Sequence, residues 1–521
     1  MLVVDRAKAL AMRLKNPNRV LSVLPSAKQI EHKGVNFVVA PHRLDTAKIL
    51  NNIGIKAPSP IMHYYDWPGL FTPFDHQKET AAFLTMQPKG LVLNEIGTGK
   101  TQSALWAADY MMREGAVKKV LIMSPLSTLQ RVWADAIFKG FPDRDFVVLH
   151  GTSQRRLKLL DTDVDYYIIN HDGFPIISEK SVGKFDLVIV DEAAVFRNPS
   201  TRRFKIFRKW MERNPQTMLW MMTGTPTPND PTDAWALAKL VDSPHLNKTY
   251  TGFREQVMMK VGQWKWVPRP DSIDIVHNVL QPAVRYNRED CFDLPETVVQ
   301  TRQVDLTKEQ RKHYNSMMRT LVTEFEETDI TAVNEAVKMQ KLVQIACGVA
   351  YGSDGQNIEI DASPRVNLVK EIIKEAGEKV IVFVPLTGTL KMLEREVAKD
   401  STVAVVNGDV PSGKRNQIFH DFQENQDPQV LIAHPGTMSH GLTLTSASTI
   451  IWYGPIHSNE QYVQANGRIE RIGKTNVSNV IHIEGTELER KMYTRLENKQ
   501  NLQGLLLDLV QEQTKETANE R

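Results

Sequence analysis

Short apolar runs alternate with helix-like segments along most of the chain. Val120–Met123 and Leu187–Val190 are apolar at every position, and amphipathic segments separate such runs from one another. Continuous apolar runs of this kind are typical of strands buried on both faces of a parallel sheet. The pattern predicts an α/β fold with strands at Gly90–Leu93, Val120–Met123, Tyr166–Ile169, Leu187–Val190 and Met218–Met222, and again at Lys379–Val384, Val403–Val406, Val430–Ala433, Thr449–Trp452 and Val480–Ile483.

The strand pattern also predicts how the domains are arranged. It is interrupted by mainly helical segments, Lys308–Glu327 and Ile330–Cys347, and preceded by a stretch with strand-like runs (Arg19–Val23, Val35–Val39) and a helix-like run (Leu44–Asn52). We therefore expect two parallel-sheet lobes with an inserted helical region and a small N-terminal accessory domain. The predicted boundaries are 1–70 for the accessory domain, 71–245 for the first lobe, 246–360 for the helical insertion and link, 361–500 for the second lobe, and 501–521 for a polar tail.

Composition narrows the class of protein. A net charge of +3 gives no global basic signal, so any nucleic-acid surface is expected to be a local groove. The two cysteines, Cys291 and Cys347, support neither a disulfide framework nor a zinc site. No apolar run approaches membrane-spanning length, and basic residues interrupt the apolar runs of Met1–Arg19, unlike a signal peptide. We expect a cytoplasmic protein of a bacterial or phage-infected cell.

The stretch Asn94–Thr101 (Asn-Glu-Ile-Gly-Thr-Gly-Lys-Thr) connects an apolar strand to a helix predicted at Gln102–Met112. Its glycines let backbone N–H groups approach phosphate oxygens, Lys100 can neutralise β/γ-phosphates, and the Thr101 hydroxyl can ligate Mg²⁺. Asn94 departs from the strict pattern, which has glycine there. Taken alone, the loop fits a phosphate site of another kind as well.

An acidic pair follows a second apolar strand. Phe185–Val190 ends in Asp191 and Glu192. At the carboxyl end of a buried parallel strand, such a pair can hold Mg²⁺ and orient an attacking water. Asp191 is the expected metal ligand and Glu192 the expected base. Together with the glycine loop, the pair favours an ATPase that uses ATP and Mg²⁺ over a solvated acidic turn.

Two arginines of the second lobe are candidates for stabilising the transition state of phosphate transfer. Arg468 and Arg471 are three residues apart, so on a helix both would lie on the same face. A guanidinium near the γ-phosphate stabilises charge that develops during transfer. The alternative is a surface helix in which these arginines pair with Glu460 or Glu470.

The motifs between about Phe74 and Ile483 resemble those of the Swi/Snf-like ATPases, a family of superfamily-two helicases. Phe74–Gln77 resembles the adenine-reading glutamine motif, and Thr223–Pro226 with Thr227–Asn229 resembles the motif that couples ATP to nucleic acid. The features that narrow the resemblance to this family are Arg197-Asn198, Arg285 before Leu294-Pro295, Gly441–Ala447, Gln464-Ala465, and Arg468 to Gly473.

The resemblance implies a fold and a set of site residues. It implies two RecA-like lobes that close on ATP. The residues implied to contact the nucleotide are Gln77, Glu95, Gly97, Thr98, Gly99, Lys100, Thr101 and Gly441. Ser124–Leu126 and Ile169–His171 stand where the first lobe of this family touches the nucleic-acid backbone. Backbone N–H groups and hydroxyls around Ser124, Thr128, Asn170 and Thr437 are the candidates for such contacts.

Three positions depart from the family pattern. Ala194 stands where the acidic box usually has histidine, which leaves in doubt how tightly hydrolysis is coupled through that position. Lys474 replaces a usual glutamine and Thr443 a usual asparagine. Both replacements keep the position polar.

The resulting expectation is a DNA translocase or helicase that remodels duplex or branched DNA in repair, recombination or replication. Its expected partners are duplex, single-stranded or branched DNA and repair or recombination proteins, and we expect a monomer. Three alternatives stay open: an ATP-dependent DNA-binding switch or clamp, an RNA helicase, and a subunit of a larger restriction or repair complex. Gln263–Arg269 interleaves aromatic and basic residues, which favours a hairpin packed on one face over a base-stacking wedge.

Overall fold

The computed structural model describes residues 1–228, 230–247, 249–261, 266–291, 297–327, 332–351, 357–438, 444–469 and 477–498. The chain forms two compact units, Met1–Cys291 and Phe292–Arg521. No helix in the described part of the chain has both the length and the apolarity needed to cross a bilayer.

The first unit begins with a small antiparallel sheet. Its strands are β1 (Leu2–Val4), β2 (Ala9–Met12), β3 (Lys28–His32) and β4 (Val35–Pro41), in the order β1-β2-β4-β3. The accompanying helices are α1 (Asn18–Leu21) and α2 (Leu44–Asn52). The sheet and helices bury a core of their own around Leu10, Val38 and Leu50. The predicted strand at Val35–Val39 and helix at Leu44–Asn52 are confirmed.

The strand predicted at Arg19–Val23 is wrong, because helix α1 occupies most of this stretch. Pro17 precedes the helix with φ −58° and ψ −33°, which presets the first turn. Val20 and Leu24 lie four residues apart and are both buried, as on one face of a helical turn. Proline and helical spacing thus outweigh the β-propensity of the local valines.

The first lobe is built on a seven-stranded parallel sheet. After the N-terminal sheet, the strands of this unit are β5 (Lys89–Val92), β6 (Val120–Ser124), β7 (Phe146–Val148), β8 (Tyr166–Asn170), β9 (Leu187–Asp191), β10 (Met218–Met222), β11 (Met258–Lys260), β12 (Trp266–Pro268) and β13 (Ala283–Val284). The sheet order is β13-β5-β10-β9-β6-β8-β7. Val188 and Val190 pack into one core cluster, whereas Leu187 and Ile189 pack into another. Each strand therefore serves two covered faces, which explains the continuous apolar runs.

Helices cover both faces of this sheet. They are α3 (Ile61–Tyr64), α4 (Asp75–Met86), α5 (Lys100–Arg113), α6 (Asp135–Gly140), α7 (Ser153–Leu160), α8 (Phe174–Ile177), α9 (Arg202–Arg213), α10 (Ala234–Leu240), α11 (Tyr250–Val257), α12 (Ser272–Val279) and α13 (Arg288–Cys291). The hairpin predicted around Gln263–Arg269 is confirmed by the antiparallel pairing of β11 with β12. Its Trp266 ring lies 4.4 Å from the Arg254 guanidinium, while Gln263–Lys265 lie outside the described residues.

The second unit contains a six-stranded parallel sheet and a small antiparallel pair. Its strands are β14 (Thr297–Gln303), β15 (Val349–Tyr351), β16 (Asn357–Glu359), β17 (Lys379–Phe383), β18 (Val403–Val406), β19 (Val430–Ala433), β20 (Ala447–Trp452) and β21 (Ser478–Glu484). The order of the large sheet is β14-β21-β20-β17-β19-β18, and β15 pairs with β16. Its helices are α14 (Lys308–Glu327), α15 (Ala332–Ala346), α16 (Ser363–Ala376), α17 (Thr387–Val397), α18 (Ser412–Glu424), α19 (Asn459–Asn466) and α20 (Glu487–Glu497). The predicted α/β class with two parallel-sheet lobes is confirmed.

A buried ion pair connects α16 to α20 in the second unit. The side chains of Arg365 and Glu489 are 2% and 0% exposed, and their charged atoms lie 2.8 Å apart. The Glu489 carboxylate also accepts from Gly485 N at 2.9 Å and from Thr486 Oγ1 at 3.1 Å. Each ion therefore loses its hydration on burial, and the attraction of the opposite charge offsets that loss.

We predict that Glu489→Gln lowers the free energy of unfolding by about 3 kcal/mol, because the Arg365 guanidinium then stays buried without an anion. Urea denaturation measures the loss. Glu487→Gln, which removes the partner of Lys491 at 3.0 Å on the surface of the same helix, is the control and is expected to cost less than about 1 kcal/mol. Equal losses in the two variants would contradict the prediction.

Candidate active site

Two glycines shape the loop that follows β5. Gly97 and Gly99 have φ angles of +87° and +81°, in the left-handed region that glycine adopts without steric cost. A Cβ on Gly99 would lie 2.0 Å from Nε2 of Gln77, so a side chain there would displace the Gln77 amide. Helix α5 begins at Lys100, and the first N–H groups of a helix have no acceptor within the helix. The loop and helix end form a cradle suited to an anion such as phosphate.

The Lys100 side chain lies across this cradle. Its Nζ donates to the carbonyl oxygens of Asn94 and Glu95, at 2.8 and 3.0 Å. The Thr98 hydroxyl donates to the same Glu95 carbonyl at 2.8 Å. These bonds hold the ammonium charge beside the backbone of the loop. The structure therefore brings together the predicted loop residues Glu95, Gly97, Thr98, Gly99, Lys100 and Thr101.

Asn94, the departure from the glycine pattern, has a structural role. Its side chain is buried, with Nδ2 donating to Thr80 Oγ1 at 2.9 Å and Oδ1 accepting from Tyr286 N at 3.1 Å. The next residue continues the contact, since Glu95 Oε2 accepts from Arg288 N at 3.1 Å. Asn94 thus fastens the loop to α4 on one side and to the segment after β13 on the other.

Gln77 is buried against the loop. Its Oε1 accepts from Phe74 N at 3.1 Å, at the start of α4, and its Nε2 donates to the Thr98 carbonyl at 3.2 Å. The His76 ring is bonded to the same carbonyl at 2.9 Å. Gln77 therefore joins the start of α4 to the phosphate loop, and its predicted contact with a nucleotide base stays a prediction.

Asp191 lies at the carboxyl end of β9, two strands from the phosphate loop. Strand β10 separates β9 from β5, so both segments emerge at one edge of the sheet. Trp133 Nε1 donates to Asp191 Oδ2 at 3.0 Å, and Glu192 N donates to Oδ1 at 3.1 Å. Burial raises the pKa of the Asp191 carboxyl, and the Trp133 bond and the nearby Lys100 charge oppose that rise. The carboxylate is thus held where a cation would relieve its desolvation.

Glu192 has a strained backbone. Its φ and ψ are +50° and +53°, a left-handed conformation that costs a non-glycine residue about 1–2 kcal/mol. Such strain persists only where the surrounding structure imposes it, and it concentrates at functional sites. The conformation turns the chain sharply between Asp191 and the buried Ala193. This geometry supports a functional acidic pair rather than an ordinary surface turn.

His171 contacts the acidic turn from the segment that follows β8, which is two strands away from β9 in the sheet. Its Nε2 lies 2.8 Å from the Asp191 carbonyl oxygen, and its ring meets Phe196 edge-on. Burial lowers the pKa of His171 to about 4, so the ring is neutral at pH 7 and donates from Nε2. Although its motif was expected near nucleic acid, the imidazole of His171 supports the backbone of Asp191.

The residues after the acidic pair form a tight turn into α9. Ala194 is buried, and its carbonyl accepts from Arg197 N at 3.1 Å and from Arg197 Nη1 at 3.3 Å. Asn198 Oδ1 accepts from Ser200 N at 2.9 Å. Ala194 therefore contributes no polar side chain, while Arg197 and Asn198 shape the turn.

The Thr223–Gly224 turn packs directly on the phosphate loop. Thr223 N donates to the Val92 carbonyl at 3.0 Å. A Cβ on Gly224 would lie 3.4 Å from Ile96 Cγ1 and 3.5 Å from the Asn94 carbonyl oxygen. A movement of the loop would therefore be transmitted to this turn.

The residues predicted to lie near nucleic acid occupy the same sheet edge in the first unit. Ser124 and Asn170 are register partners at the ends of β6 and β8. Ser124 is fully buried, and both donors of Thr128, its N–H and its hydroxyl, are bonded to the Pro125 carbonyl at 3.0 Å. Asn170 Oδ1 accepts from Arg156 at 2.8 Å, which leaves its amide N–H donors facing elsewhere. Nucleic-acid contact at these positions stays a prediction.

Two predicted residues are described in the second unit. Thr437 donates its hydroxyl to the His434 carbonyl at 2.7 Å and its N–H to the same oxygen at 2.9 Å. Arg468 is buried just beyond α19, which ends at Asn466, so the expectation that it lies on a helix is wrong. Gly467 caps that helix, and the Arg468 carbonyl instead accepts from Leu444 N at 3.1 Å. Other predicted or family-motif residues lie outside the described part: Asn229, Leu294, Pro295, Gly441, Thr443, Arg471, Gly473 and Lys474.

Sequence reasoning missed the groups that hold the acidic turn. Trp133 lies 58 residues from Asp191 in the chain, and His171 lies 20 residues from it. No local signal in the sequence identifies Trp133, since indoles are also common core residues. Within the described residues, no cluster of three or more His, Cys, Asp or Glu side chains could hold a metal ion.

Two family models match the chain. The model described as SNF2-related domain matches residues 31–349, and the helicase conserved C-terminal domain matches residues 364–473. A solved structure, the Sulfolobus solfataricus SWI2/SNF2 ATPase core in complex with dsDNA, aligns with 83% of this chain and 92% of that chain at 20% identity, with a TM-score of 0.42.

Curated relatives cover most of this chain. Putative protein p41 of Acyrthosiphon pisum secondary endosymbiont phage 1 is 26% identical over 84% of this chain and 99% of its own length. The ISWI chromatin-remodeling complex ATPase ISW1 of Saccharomyces cerevisiae is 23% identical over 80% of this chain and 38% of its own. The human DNA annealing helicase and endonuclease ZRANB3 is 24% identical over 83% of this chain and 40% of its own. The chain therefore spans about two fifths of the length of these two larger relatives.

We predict that Trp133→Phe lowers kcat for ATP hydrolysis about tenfold or more, because a hydrogen bond to a charged group contributes about 1.5–3 kcal/mol. Steady-state turnover, corrected for the folded fraction, measures the effect. Trp210→Phe is the matched control, since it removes the indole bond to Ser181 Oγ at 3.1 Å in the same lobe. If both variants keep wild-type kcat, Trp133 does not position Asp191 for turnover.

Proposed function

The chain belongs to the family of SNF2-related, helicase-type ATPases, and we propose that it uses ATP hydrolysis to move along DNA. The observation that carries the proposal is the meeting of the glycine loop, the Asp191 carboxylate and the strained Glu192 at one edge of a parallel sheet. That edge is where parallel α/β sheets bind their ligands.

In this proposal the loop binds the phosphates of ATP. Gly97 and Gly99 let the phosphate oxygens reach backbone N–H groups, and the start of α5 adds favourable partial charge. Lys100 neutralises the β/γ-phosphates. The carbonyl oxygens of Asn94 and Glu95 that it contacts are neutral acceptors, so an anionic phosphate is the stronger partner.

Thr101 and Asp191 are the proposed Mg²⁺ ligands. One hydroxyl and one carboxylate fit this ion, which usually keeps waters and substrate phosphates as its other ligands. A Mg²⁺ ion held by these two residues would supply positive charge to the phosphates of the nucleotide. The buried Asp191 carboxylate fits a cation for the same reason that burial raises its pKa. Glu192 orients the attacking water and accepts its proton.

The remaining nucleotide contacts are proposed from the family motifs. Gln77 is assigned to the base, and Gly441 to a nucleotide contact in the second unit. Arg468 and Arg471 are assigned to the charge that develops in the transition state. Arg468 is buried in its own unit, so its side chain must become accessible before it can reach a nucleotide.

DNA is the proposed track, contacted through its phosphates. Phosphate oxygens accept hydrogen bonds, so the protein must supply donors. Asn170 is the best placed, since its Oδ1 is engaged by Arg156 and its amide N–H groups remain as donors. At Ser124, Thr128 and Thr437 the turns must rearrange before their donors reach a phosphate. The relation to human ZRANB3, a DNA annealing helicase and endonuclease, supports DNA as the substrate.

We propose that the protein remodels duplex or branched DNA in repair, recombination or replication. The name of ZRANB3, a DNA annealing helicase, supports this class of substrate.

The test is ATP turnover without nucleic acid and with single-stranded DNA, duplex DNA, forked DNA and RNA. We predict that duplex or forked DNA stimulates turnover by at least about tenfold and that Lys100→Ala abolishes it, because the phosphate charge loses its main partner. Lys118→Ala, at an exposed lysine of the same lobe, is the control. Turnover retained by Lys100→Ala would refute the phosphate assignment, and stimulation by RNA alone would refute DNA as the track.

A second candidate is an ATP-dependent switch that binds DNA without processive movement. It is favoured by Ala194, because a buried methyl group stands where the family usually couples hydrolysis through histidine. Displacement of a triplex-forming strand from duplex DNA separates the two. We predict ATP-dependent displacement that Glu192→Gln abolishes. DNA-stimulated turnover without displacement would favour the switch.

A further inference from the structure

The N-terminal sheet and the end of α5 border an open cavity of about 980 Å³, which we call the Lys48 cavity. Its walls come from β2, β3 and β4, from the start of α2, and from the last turn of α5. Exposed Lys28, Arg43 and Glu114 line it, so it opens to solvent. Helix α5 runs from the phosphate loop to this cavity, and its 14 residues span about 20 Å. The cavity is therefore separate from the candidate active site.

Positive charge dominates the lining. Lys8, Lys28, Arg43 and Lys48 line the cavity, and none of them forms an ion pair within the described residues. Arg113 also lines it but is bonded to Asp66 and Asp109, each at 2.8 Å. The acidic lining residues are Asp45 and Glu114. Four cations without a carboxylate partner thus face two carboxylates, and the balance favours an anionic ligand.

The start of α2 adds to this charge. Leu44 and Lys48 lie four residues apart, so the Lys48 side chain and the first turn of the helix share one face. Arg43 occupies the cap position without a side-chain hydrogen bond to the first turn. Asp45 is engaged locally, since its Oδ1 accepts from Thr46 N at 2.7 Å. Lys48 is half-buried, with its side chain lining the cavity.

The geometry favours a strand over a small ligand. The cations come from three separate elements around a cavity that opens to solvent, so one extended polyanion can meet all of them. The Lys8 ammonium lies 5.4 Å from the centre of the Tyr64 ring, and the Tyr64 hydroxyl is bonded to His42 at 3.0 Å. That ring is therefore already engaged, and recognition would go to phosphate rather than to bases.

We propose that the Lys48 cavity binds the phosphodiester backbone of a nucleic-acid strand, as a second contact apart from the motor track. The proposal rests on the proposed function in one respect, that DNA is the substrate. It gives the N-terminal domain a role in holding a second arm or strand of the DNA that the motor engages.

The test compares two triple variants that remove the same charge. Lys28→Gln/Arg43→Gln/Lys48→Gln alters the cavity, and Arg13→Gln/Lys15→Gln/Lys56→Gln alters exposed residues that do not line it. The affinity for forked and duplex DNA is measured by fluorescence anisotropy across a range of salt concentrations. We expect the cavity variant to bind forked DNA at least about tenfold more weakly than the wild-type protein. Its log affinity should also fall less steeply with log salt, by about 2 in the magnitude of the slope. The control keeps the wild-type slope, and both variants keep the DNA-free rate of ATP turnover.

Equal slopes for the two variants would overturn the proposal. If wild-type turnover still responds to DNA in that case, only the Lys48 cavity assignment fails. If the wild-type protein neither binds DNA nor responds to it, the proposed function fails as well. Calorimetric titration of inorganic triphosphate into the Lys100→Ala variant tests whether the cavity binds a free phosphate ligand instead of a strand. Binding that the cavity substitutions abolish, together with unchanged DNA affinity, would overturn the strand assignment.

Discussion

The pairing of β10 with β5 on one side and β9 on the other is the constraint on which the first lobe depends. In register, Met222 faces Val92 and Asp191, so the phosphate loop and the acidic turn emerge two strand spacings apart, about 10 Å. A sheet buried on both faces cannot change this spacing without breaking backbone hydrogen bonds in a dry interior. Loop residues can therefore move while the base of the site stays fixed.

A site at the edge of such a sheet must satisfy polar groups that have little access to water. The structure does so with residues that have no chemical role of their own. Trp133 is bonded to the side chain of Asp191, and His171 to its carbonyl oxygen. Asn94 is bonded to Thr80 of α4 and to the backbone of Tyr286. Each buried bond limits where a functional group can point, which is the preorganisation that hydrolysis requires.

A second polar network joins the segments that follow α3 and α6 to helix α5. Asp109, a buried residue of α5, accepts from the Tyr65 hydroxyl and from Arg144, each at 2.7 Å. Arg113 reaches the same carboxylate at 2.8 Å and lies at the Lys48 cavity. The helix that begins at the phosphate loop thus ends at the N-terminal domain. A ligand bound there would act on the same rigid element as the nucleotide.

The sequence by itself determined the α/β class, the central strands, the glycine loop and the acidic pair, because each depends on residues next to one another in the chain. The strand predicted at Arg19–Val23 was wrong, because Pro17 and the helical spacing of Val20 and Leu24 outweighed the β-propensity of the valines. Only the tertiary structure decided which groups support the site. Asn94 is hydrogen-bonded to Tyr286, which lies 192 residues away in the chain, and Asp191 to Trp133, which lies 58 residues away. No local sequence pattern identifies a partner at such a separation. Strand order made these contacts, since it is a property of the folded sheet rather than of any segment within it.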